Sequence, residues 1–466
     1  MTLQYFTLQD NQYVADCMPF FHDGVFRLFY LVDQGHHTDL KGLGGHQWAQ
    51  ASSRDLVHWE RHDGLSIAIT HEREGSICTG SVFFHDGTYY AFYATRMSDR
   101  GEHLSVATSR DGVHFEKTEP NPFASPPAGY HPFHYRDPHV FQDADGLFHL
   151  LVTAWIEQSP VPGRGGCLGH LVSKDLAHWE HREPFFAPSL PEPPECPEHF
   201  FWNGWYYLVF SNSGQARYRM SRGALGPWTR PKVETLDGPA ARVMKTAAFP
   251  SAVNSGPDRG ANRRIGVAWL GTRQGNRDDG PFEFGGNALF REIIQYPDGT
   301  LGAKFPAEMV PRGVADLAIQ IEPWGPGAEV DGRNVRIDAR HGLAVAACRG
   351  IAHNARLKIR VNPLSSLAGF GLRLRADQAG TFDSGYDLNF APYEAAARLN
   401  QQRIAAVEGL DRPLDLEIIL KDDIIDVCID GRRTLTDRCP ERRGQTMLLY
   451  GQDGEVAFEI AQAVSL

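Results

Sequence analysis

The sequence predicts an all-β fold, a five-bladed β-propeller followed by a C-terminal β-sandwich. Four similar segments recur every ~60 residues, and each places Asp-Gly or Asn-Gly between two aromatic or β-branched runs. They are centred on Asp23, Asp86, Asp145 and Asn203. Such dipeptides between strand-like runs indicate β-hairpins. A second observation is a series of alternating strand-like segments in the last third of the chain.

A second element follows three of the hairpins at a similar offset. It reads SRDLVHWE at 53–60, SRDGVHFE at 109–116 and SKDLAHWE at 173–180. A unit about four strands long that recurs at this spacing is typical of propeller blades. A fifth, weaker unit spans residues 243–306, with RIGVAWLGTR and LFREIIQYPDGTLGAKF as its strands. We therefore expect five blades within residues 1–312.

Acidic residues precede three of the predicted hairpins at nearly the same position. Asp16, Asp137 and Glu195 lie seven or eight residues before their turns, and Ser81 lies five residues before its own. We expect the strand before each turn to be the innermost of its blade, with its start facing the central channel. Three carboxyl groups at one channel mouth are what the hydrolysis of a glycosidic bond requires.

The composition excludes several classes of protein. The chain has 466 residues and a formal net charge of −11, which argues against nucleic acid or an anionic membrane as its partner. MTLQYFTLQD has no secretory pattern, and no apolar run approaches ~20 residues, so we expect a cytoplasmic protein. Seven cysteines without a Cys-x-x-Cys pair indicate neither a disulfide framework nor a zinc site. No metal and no cofactor are expected.

The composition shifts around IEPWGPGAEVDG, and we place a linker at 313–331. The region 332–466 then holds the predicted sandwich, with strands of alternating pattern turning at acidic residues. The strand-like segments are ARLKIRVNP, GFGLRLRAD, GYDLNFAP, LDLEIILKDDIIDVCID, QTMLLYGQ and VAFEIAQAV.

Three motifs resemble those of glycoside hydrolase family 32, the invertases, levanases and inulinases. YRDPHVF resembles the family's Arg-Asp-Pro motif, PECPEHF its Glu-Cys motif, and CTGSVFF its substrate-binding Ser-Gly-Ser turn. HQWAQASSRDLVHWE is similar to the family's first blade. The chain departs from the family at the nucleophile, where VADCMPFFHDG replaces an Asn-Asp-Pro-Asn-Gly run and looks closer to the levansucrase relatives.

The resemblance implies a role for each acid. Asp16 would be the nucleophile, Glu195 the general acid and base, and Asp137 the group that binds the furanose hydroxyls, with Arg136 keeping Asp137 ionised. A retaining mechanism needs two carboxyl groups ~5 Å apart, one ionised and one protonated. We therefore expect the pKa of Glu195 to be raised while Asp16 stays charged.

Five further residues are candidates for substrate contact. The aromatic rings would form apolar walls for the sugar, and the hydroxyl and imidazole would bind its oxygens. They are Ser81, His46, Trp48, Phe84 and Trp269. The simpler interpretation is that the rings fill the space between blades, that His46 is a strand residue, and that the Asp-Gly pairs are turn residues only.

The expected activity is retaining cleavage of β-D-fructofuranosyl ends from sucrose, fructo-oligosaccharides or fructans. A small carbohydrate is thus the expected partner, and no oligomeric state is indicated. One alternative is an arabinofuranosidase or xylosidase-like enzyme that inverts, with carboxyl groups ~6.5–9.5 Å apart. A non-catalytic sugar-binding propeller and transfer of fructosyl groups to sugars remain open.

Overall fold

The computed structural model describes residues 3–36, 45–97, 101–250, 262–377 and 381–466. The regular structure of this part is almost entirely β, with short 3₁₀ segments at Gln274–Asn276 and Pro392–Glu394. No helix among these residues is long and apolar enough to span a membrane. The chain divides into two compact units. The first contains Met1–Leu236, Arg242–Gly271 and Glu283–Thr300, and the second contains Asp237–Ala241, Thr272–Phe282 and Leu301–Leu466.

Eighteen strands build the first unit. They are β1 (Gln12–His22), β2 (Val25–Gln34), β3 (Gln47–Ser53), β4 (Trp59–Arg61), β5 (Glu74–His85), β6 (Thr88–Met97), β7 (Glu102–Ser109), β8 (Glu116–Lys117), β9 (Tyr130–Gln142), β10 (Phe148–Ile156), β11 (Gly166–Ser173), β12 (Glu180–Leu190), β13 (Glu195–Trp202), β14 (Trp205–Asn212), β15 (Gln215–Ser221), β16 (Ala241–Pro250), β17 (Asn262–Arg273) and β18 (Phe282–Gln295). They form five consecutive antiparallel meanders, namely β1–β4, β5–β8, β9–β12, β13–β15 and β16–β18. This unit is the predicted five-bladed propeller. Val14 pairs with Gly286, which joins the first blade to the last.

All four predicted hairpins are present. In blades one, two and four the strands are joined by two residues that both have positive φ, as at Asp23 (48°) and Gly24 (69°). This is the tight turn that Asp-Gly and Asn-Gly favour because its twist matches that of the strands. The third hairpin has a longer loop, in which the Asp143 carboxylate accepts the backbone amides of Asp145 and Leu147.

The first strands of the blades pack against one another, since β5 contacts both β1 and β9, and β9 contacts β13. In each of these four strands, two residues oppose one residue of the neighbouring strand. The bulged pairs are Ala15–Asp16, Cys78–Thr79, Asp137–Pro138 and Cys196–Pro197. A β-bulge interrupts pairing and re-aims the side chains beside it. The four bulges therefore define one equivalent position around the propeller.

The repeated Ser-x-Asp-x-x-His element forms a turn after the third strand of blades one to three. In the first blade, Asp55 accepts the amides of Val57 at 2.9 Å and His58 at 2.7 Å, and also contacts the His58 ring at 2.7 Å. The same contacts recur around Asp111 and Asp175. These bonds hold the pKa of Asp55 well below its usual range. The repeated spacing of this element is thus explained by the turn that it forms in each of the three blades.

Aromatic side chains fill the space between blades. Phe92 of β6 packs with Tyr135 and Phe148 of the third blade. Trp48 of β3 lies with Phe29 and Tyr93 in a cluster that joins blades one and two. The dense aromatic pattern of the sequence is therefore explained mainly by packing between blades.

Within the described residues, sixteen strands fall in the second unit, and all but the first of them build the predicted β-sandwich. They are β19 (Leu301–Lys304), β20 (Ala315–Asp316), β21 (Gln320–Pro323), β22 (Ala328–Asp331), β23 (Asn334–Asp338), β24 (Leu343–Arg349), β25 (Ala355–Pro363), β26 (Gly369–Ala376), β27 (Tyr386–Ala391), β28 (Ala396–Leu399), β29 (Gln402–Ala405), β30 (Leu414–Lys421), β31 (Ile424–Ile429), β32 (Arg433–Arg438), β33 (Thr446–Gln452) and β34 (Glu455–Ser465). One sheet has the order β22-β23-β34-β25-β30-β31-β32, with β20 also paired to β34. The other has the order β21-β24-β33-β26-β27-β28-β29. Inward-facing residues of both sheets, such as Ile359, Leu372 and Phe458, share one apolar core.

The segment that the sequence predicts as a linker contains three short strands. β20, β21 and β22 lie between residues 315 and 331, and each pairs with a strand of the sandwich. The domain boundaries at 312 and 332 stay a prediction.

Gly80 offers a test of the bulge in the second blade. A Cβ at this position would lie 1.8 Å from the carbonyl oxygen of Phe92, so Gly80→Ala must displace backbone. We expect the change to lower the free energy of unfolding by more than ~2 kcal/mol. A Cβ at Gly169 meets only ordinary contacts, the nearest at 3.5 Å, so Gly169→Ala should cost less than ~1 kcal/mol. Chemical denaturation of both variants measures the difference, and equal stability would contradict the close approach at Gly80.

Candidate active site

Asp16 lies in the bulge of β1 and is only 8% exposed. The indole nitrogen of Trp269 donates to Asp16 Oδ1 at 2.8 Å, and the hydroxyl of Thr79 donates to Oδ2. Burial raises the pKa of Asp16 from 3.8 to about 6, the two donors oppose this, and the charges of Asp137 and Glu195 add to it. A pKa of about 6 leaves the carboxyl mainly ionised at pH 7, with little surrounding water.

Asp137 lies in the bulge of β9, with φ of 55° and 2% exposure. Its Oδ2 accepts the hydroxyl of Thr153 at 2.9 Å and the amide of Cys196 at 3.0 Å. The Nε of Arg136 lies 3.6 Å from the same oxygen. Within the described residues, Oδ1 accepts no hydrogen bond. One oxygen of Asp137 is thus fixed by the protein and the other is available to a ligand.

Glu195 opens β13 immediately before its bulge, and its side chain is 38% exposed. Arg136 Nη2 donates to its Oε1 at 2.8 Å. Burial raises the pKa of Glu195, Arg136 opposes the rise, and the charge of Asp137 adds to it. The direction of this shift therefore agrees with the expectation that the pKa of Glu195 is raised. Burial also raises the pKa of Asp16, to about 6, which still leaves this carboxyl mainly ionised at pH 7.

Cys196 brings the three acids together. Its amide donates to Asp137 at 3.0 Å, its thiol lies 3.8 Å from Asp16 Oδ2, and Glu195 precedes it in the chain. The residue has φ of 51° and is buried. Burial holds the pKa of the Cys196 thiol well above its usual value, so the thiol stays neutral beside the two carboxyl groups. A small side chain fits this position between three blades.

Arg136 contacts more acids than the sequence indicated. Besides Glu195 and Asp137, its Nη1 lies 3.2 Å from Glu102 Oε2. Glu102 begins β7 and is 2% exposed. Sequence reasoning missed Glu102 because it belongs to no motif, and only the packing of blade two against blade three places it here. It also missed Thr79, which occupies the bulge where Ser81 had been aligned.

The structure brings Trp269 to the acid centre but not all the other predicted contacts. The Ser81 hydroxyl is buried and donates to the carbonyl of Pro138 at 3.0 Å. Phe84 stacks on His22 at 3.8 Å near the hairpin turn, five residues beyond Thr79 and so ~16 Å along the strand. Their assignment to substrate contact stays a prediction.

Two predicted residues of blade one form a layer behind the site. Trp48 has no exposed surface, and its indole donates to the carbonyl of Cys78 at 2.9 Å. His46 is 5% exposed, contacts Asp33 at 3.0 Å and stacks on Phe284 at 5.1 Å. Phe284 in turn packs on Trp269 at 4.9 Å. His46 is therefore placed to support, through Phe284, the ring that contacts Asp16, whereas Trp48 holds the bulged residue Cys78 of β5.

The arrangement offers acid and base chemistry within one small region of the propeller. A buried anion, a partly exposed carboxyl with a raised pKa and an acceptor oxygen meet around one cysteine. The described part of the chain contains no group of three or more His, Cys, Asp or Glu side chains suited to a metal ion. Its seven cysteines are all free and buried.

Comparison with known proteins shows which family the chain resembles. Residues 12–161 match the model described as the glycosyl hydrolases family 32 N-terminal domain. The raffinose invertase of Escherichia coli is 27% identical over 90% of this chain and 86% of that protein. The sucrose-6-phosphate hydrolase of Escherichia coli is 27% identical, but the match spans about half of each protein, 50% in both cases. The solved structure of sucrose-6-phosphate hydrolase from Lactobacillus gasseri has a TM-score of 0.68 and 18% identity, covering 100% of this chain and 93% of that one.

The fold and site define the class as an all-β protein in which a five-bladed propeller carries an acid centre and a β-sandwich follows it. The chain is similar to glycoside hydrolase family 32, through the family's N-terminal domain at residues 12–161 and through the raffinose invertase along most of its length.

The raised pKa of Asp16 predicts that its charge destabilises the fold. Because folding shifts this pKa from 3.8 to about 6, the folded protein binds the proton more tightly, and stability is lost as pH rises through that range. At pH 7.5, the free energy of unfolding of Asp16→Asn should therefore exceed that of wild type by on the order of 1–3 kcal/mol, and the variant should unfold at a higher temperature. The gain should disappear near pH 4.

Asp23→Asn is the matched control, since Asp23 lies exposed in a turn that Asn also favours. Thermal unfolding of both variants from pH 4 to 8 measures the effect. A gain for Asp16→Asn that does not depend on pH would contradict the shifted pKa.

Proposed function

We propose that this protein is a retaining glycoside hydrolase that releases β-D-fructofuranosyl residues from sucrose, fructo-oligosaccharides or fructans. The observation that supports the proposal most strongly is the position of Cys196 among the three acids. Its amide donates to Asp137, its thiol lies 3.8 Å from Asp16 Oδ2, and Glu195 precedes it in the chain. Two carboxyl groups with different surroundings and a third that accepts hydrogen bonds match the needs of double displacement at a furanoside.

In the first step, Asp16 attacks the anomeric carbon of the fructosyl unit. Trp269 and Thr79 each donate to one of its oxygens and so orient the carboxylate. At the same time Glu195 protonates the departing glycosidic oxygen. Its raised pKa favours the protonated form, and within the described residues its Oε2 has no hydrogen-bond partner, so this oxygen is available to carry the proton.

In the second step, Glu195 acts as a base. After the leaving group departs, the carboxylate takes a proton from a water molecule that attacks the fructosyl–Asp16 ester. The bond to Asp16 breaks, fructose is released and Glu195 is protonated again. Its partial exposure allows water to reach it, whereas Asp16 remains enclosed.

Asp137 and Arg136 hold the sugar in this scheme. The Oδ1 of Asp137 would accept furanose hydroxyls, while Oδ2 is held by Thr153 and Cys196. Such bonds shorten as charge develops on the sugar, and so they favour the transition state. Arg136 places a positive charge beside Asp137 through its nearby Nε.

The relatives support the class of substrate. Their names describe action on raffinose and on sucrose 6-phosphate, both of which carry a fructosyl end. Short fructosides are therefore the first substrates to test. A cytoplasmic location, expected from the sequence, would also favour short imported sugars over polymers.

Assays of fructose and arabinose release test the proposal. Wild type, Asp16→Asn and Glu195→Gln would be compared on sucrose, kestose, inulin, levan and aryl arabinofuranosides. We expect fructose from at least one fructoside, and a loss of at least ~10³-fold in kcat/KM for both variants, because each removes a group that acts on the reacting bond.

Glu192→Gln is the matched control. Glu192 is exposed in the same loop, three residues before Glu195, and its carboxylate accepts the hydroxyl of Ser213 at 2.8 Å. This variant should keep its activity within a few fold. Release of arabinose alone would show that the substrates are arabinofuranosides rather than fructosides. Binding of fructosides without any cleavage would favour the non-catalytic alternative.

A further inference from the structure

Glu102 is a buried carboxylate that the proposed mechanism does not use. It begins β7 in the second blade, and it is 2% exposed. Its Oε1 accepts Arg96 Nη2 at 3.0 Å, while its Oε2 accepts Arg136 Nη1 at 3.2 Å and the amide of Tyr135 at 3.4 Å. The side chain thus spans from its own blade to the start of the catalytic motif in blade three.

The guanidinium of Arg136 connects Glu102 with Glu195. Nη1 lies 3.2 Å from Glu102 Oε2, and Nη2 donates to Glu195 Oε1 at 2.8 Å. The group is planar and rigid, so the position of one terminal nitrogen fixes the direction of the other. The carbonyl of Phe133, at 3.1 Å, and His134 Nδ1, at 3.3 Å, also accept from Nη1. Burial and the charge of Arg136 lower the pKa of His134 to about 4, so its ring is neutral at pH 7.

We propose that Glu102 is a positioning residue that orients Glu195 through Arg136 for the cleavage step. The inference rests on the proposed function, because Glu195 is the group whose orientation matters. Without the Glu102 carboxylate, only the neutral acceptors Phe133 O and His134 Nδ1 remain on Nη1, so the guanidinium is held less firmly in its orientation toward Glu195.

Charge balance gives Glu102 a second effect on the same group. One guanidinium charge faces Glu102, Asp137 and Glu195. Neutralising Glu102 removes a nearby negative charge, and this favours the ionised form of Glu195. The charged or titratable groups that face Arg136 or Glu195 are Glu102, Arg96, His134, Asp137, Asp16, Glu192, Cys196 and Arg242.

Two substitutions separate charge from geometry. Glu102→Gln keeps the size of the side chain and removes its charge, whereas Glu102→Asp keeps the charge on a shorter side chain. We expect Glu102→Gln to lower the pKa of Glu195 by up to about one unit, the scale of a single close charge. The alkaline limb of the kcat/KM profile should move to lower pH by the same amount, since the proton donor is lost earlier. Glu102→Asp should leave both values near those of wild type.

Glu234→Gln is the control for a purely structural role. Glu234 is likewise buried, and it pairs with Arg217, Arg219 and Arg230 in the fourth blade. Its loss should lower thermal stability and leave the pKa of Glu195 unchanged. Any general effect of removing a buried carboxylate is thereby measured in the same propeller.

The pKa of Glu195 is read directly by carbon NMR of protein labelled at the glutamate carboxyl groups, with the signal assigned by its absence in Glu195→Gln. This readout decides the role of Glu102 even if no fructoside is cleaved, in which case the proposed function alone fails. A pKa of Glu195 that is unchanged in Glu102→Gln would overturn the inference. An equal shift in Glu234→Gln would overturn it too.

Discussion

The hydrogen bond from the Cys196 amide to Asp137 is the interaction on which the acid centre depends. It requires the bulge in β13, because a regular strand would direct this amide to its neighbour β14. It also requires the left-handed φ of Cys196 and of Asp137, an uncommon backbone conformation for residues with a side chain. The two bulges hold one another in place and fix the distance between blades three and four. The positions of the Asp137 and Glu195 carboxyl groups therefore depend on this hydrogen bond.

Equivalent bulges explain why a repeated scaffold yields one asymmetric site. Each of the four innermost strands interrupts its pairing at the same point, so each sends a polar group toward the same region. Blades one, three and four contribute Asp16, Asp137 and Glu195, while blade two contributes the hydroxyl of Thr79. Differences in burial then separate the acids, since Asp16 is enclosed and Glu195 is partly exposed. Arg136 limits the repulsion between Asp137 and Glu195 by placing one positive charge beside both.

The sequence predicts local features well because local chemistry determines them. Asp-Gly and Asn-Gly turns need positive φ at both positions, and the structure has it at three of the four. Thr79 lies seven residues before Asp86, the same spacing as Asp16 before Asp23, so this spacing could have identified Thr79 rather than Ser81. Glu102 and the burial of Trp48 depend on how blades pack, which spacing along the chain does not reveal. The three acids were found because each stands in a motif at a fixed distance from its turn.

Trapping the fructosyl–enzyme tests most directly whether Asp16 and Glu195 act as a pair on one sugar. Glu195→Gln would be mixed with an aryl β-D-fructofuranoside, quenched in acid, digested and analysed by mass spectrometry. An aryl group leaves without protonation, but water attacks slowly without a base, so the intermediate should accumulate. We expect one fructosyl group on the peptide that contains Asp16, and none when Asp16→Asn is added. Release of fructose with no labelled Asp16, or a label on another residue, would contradict the assignment of the nucleophile.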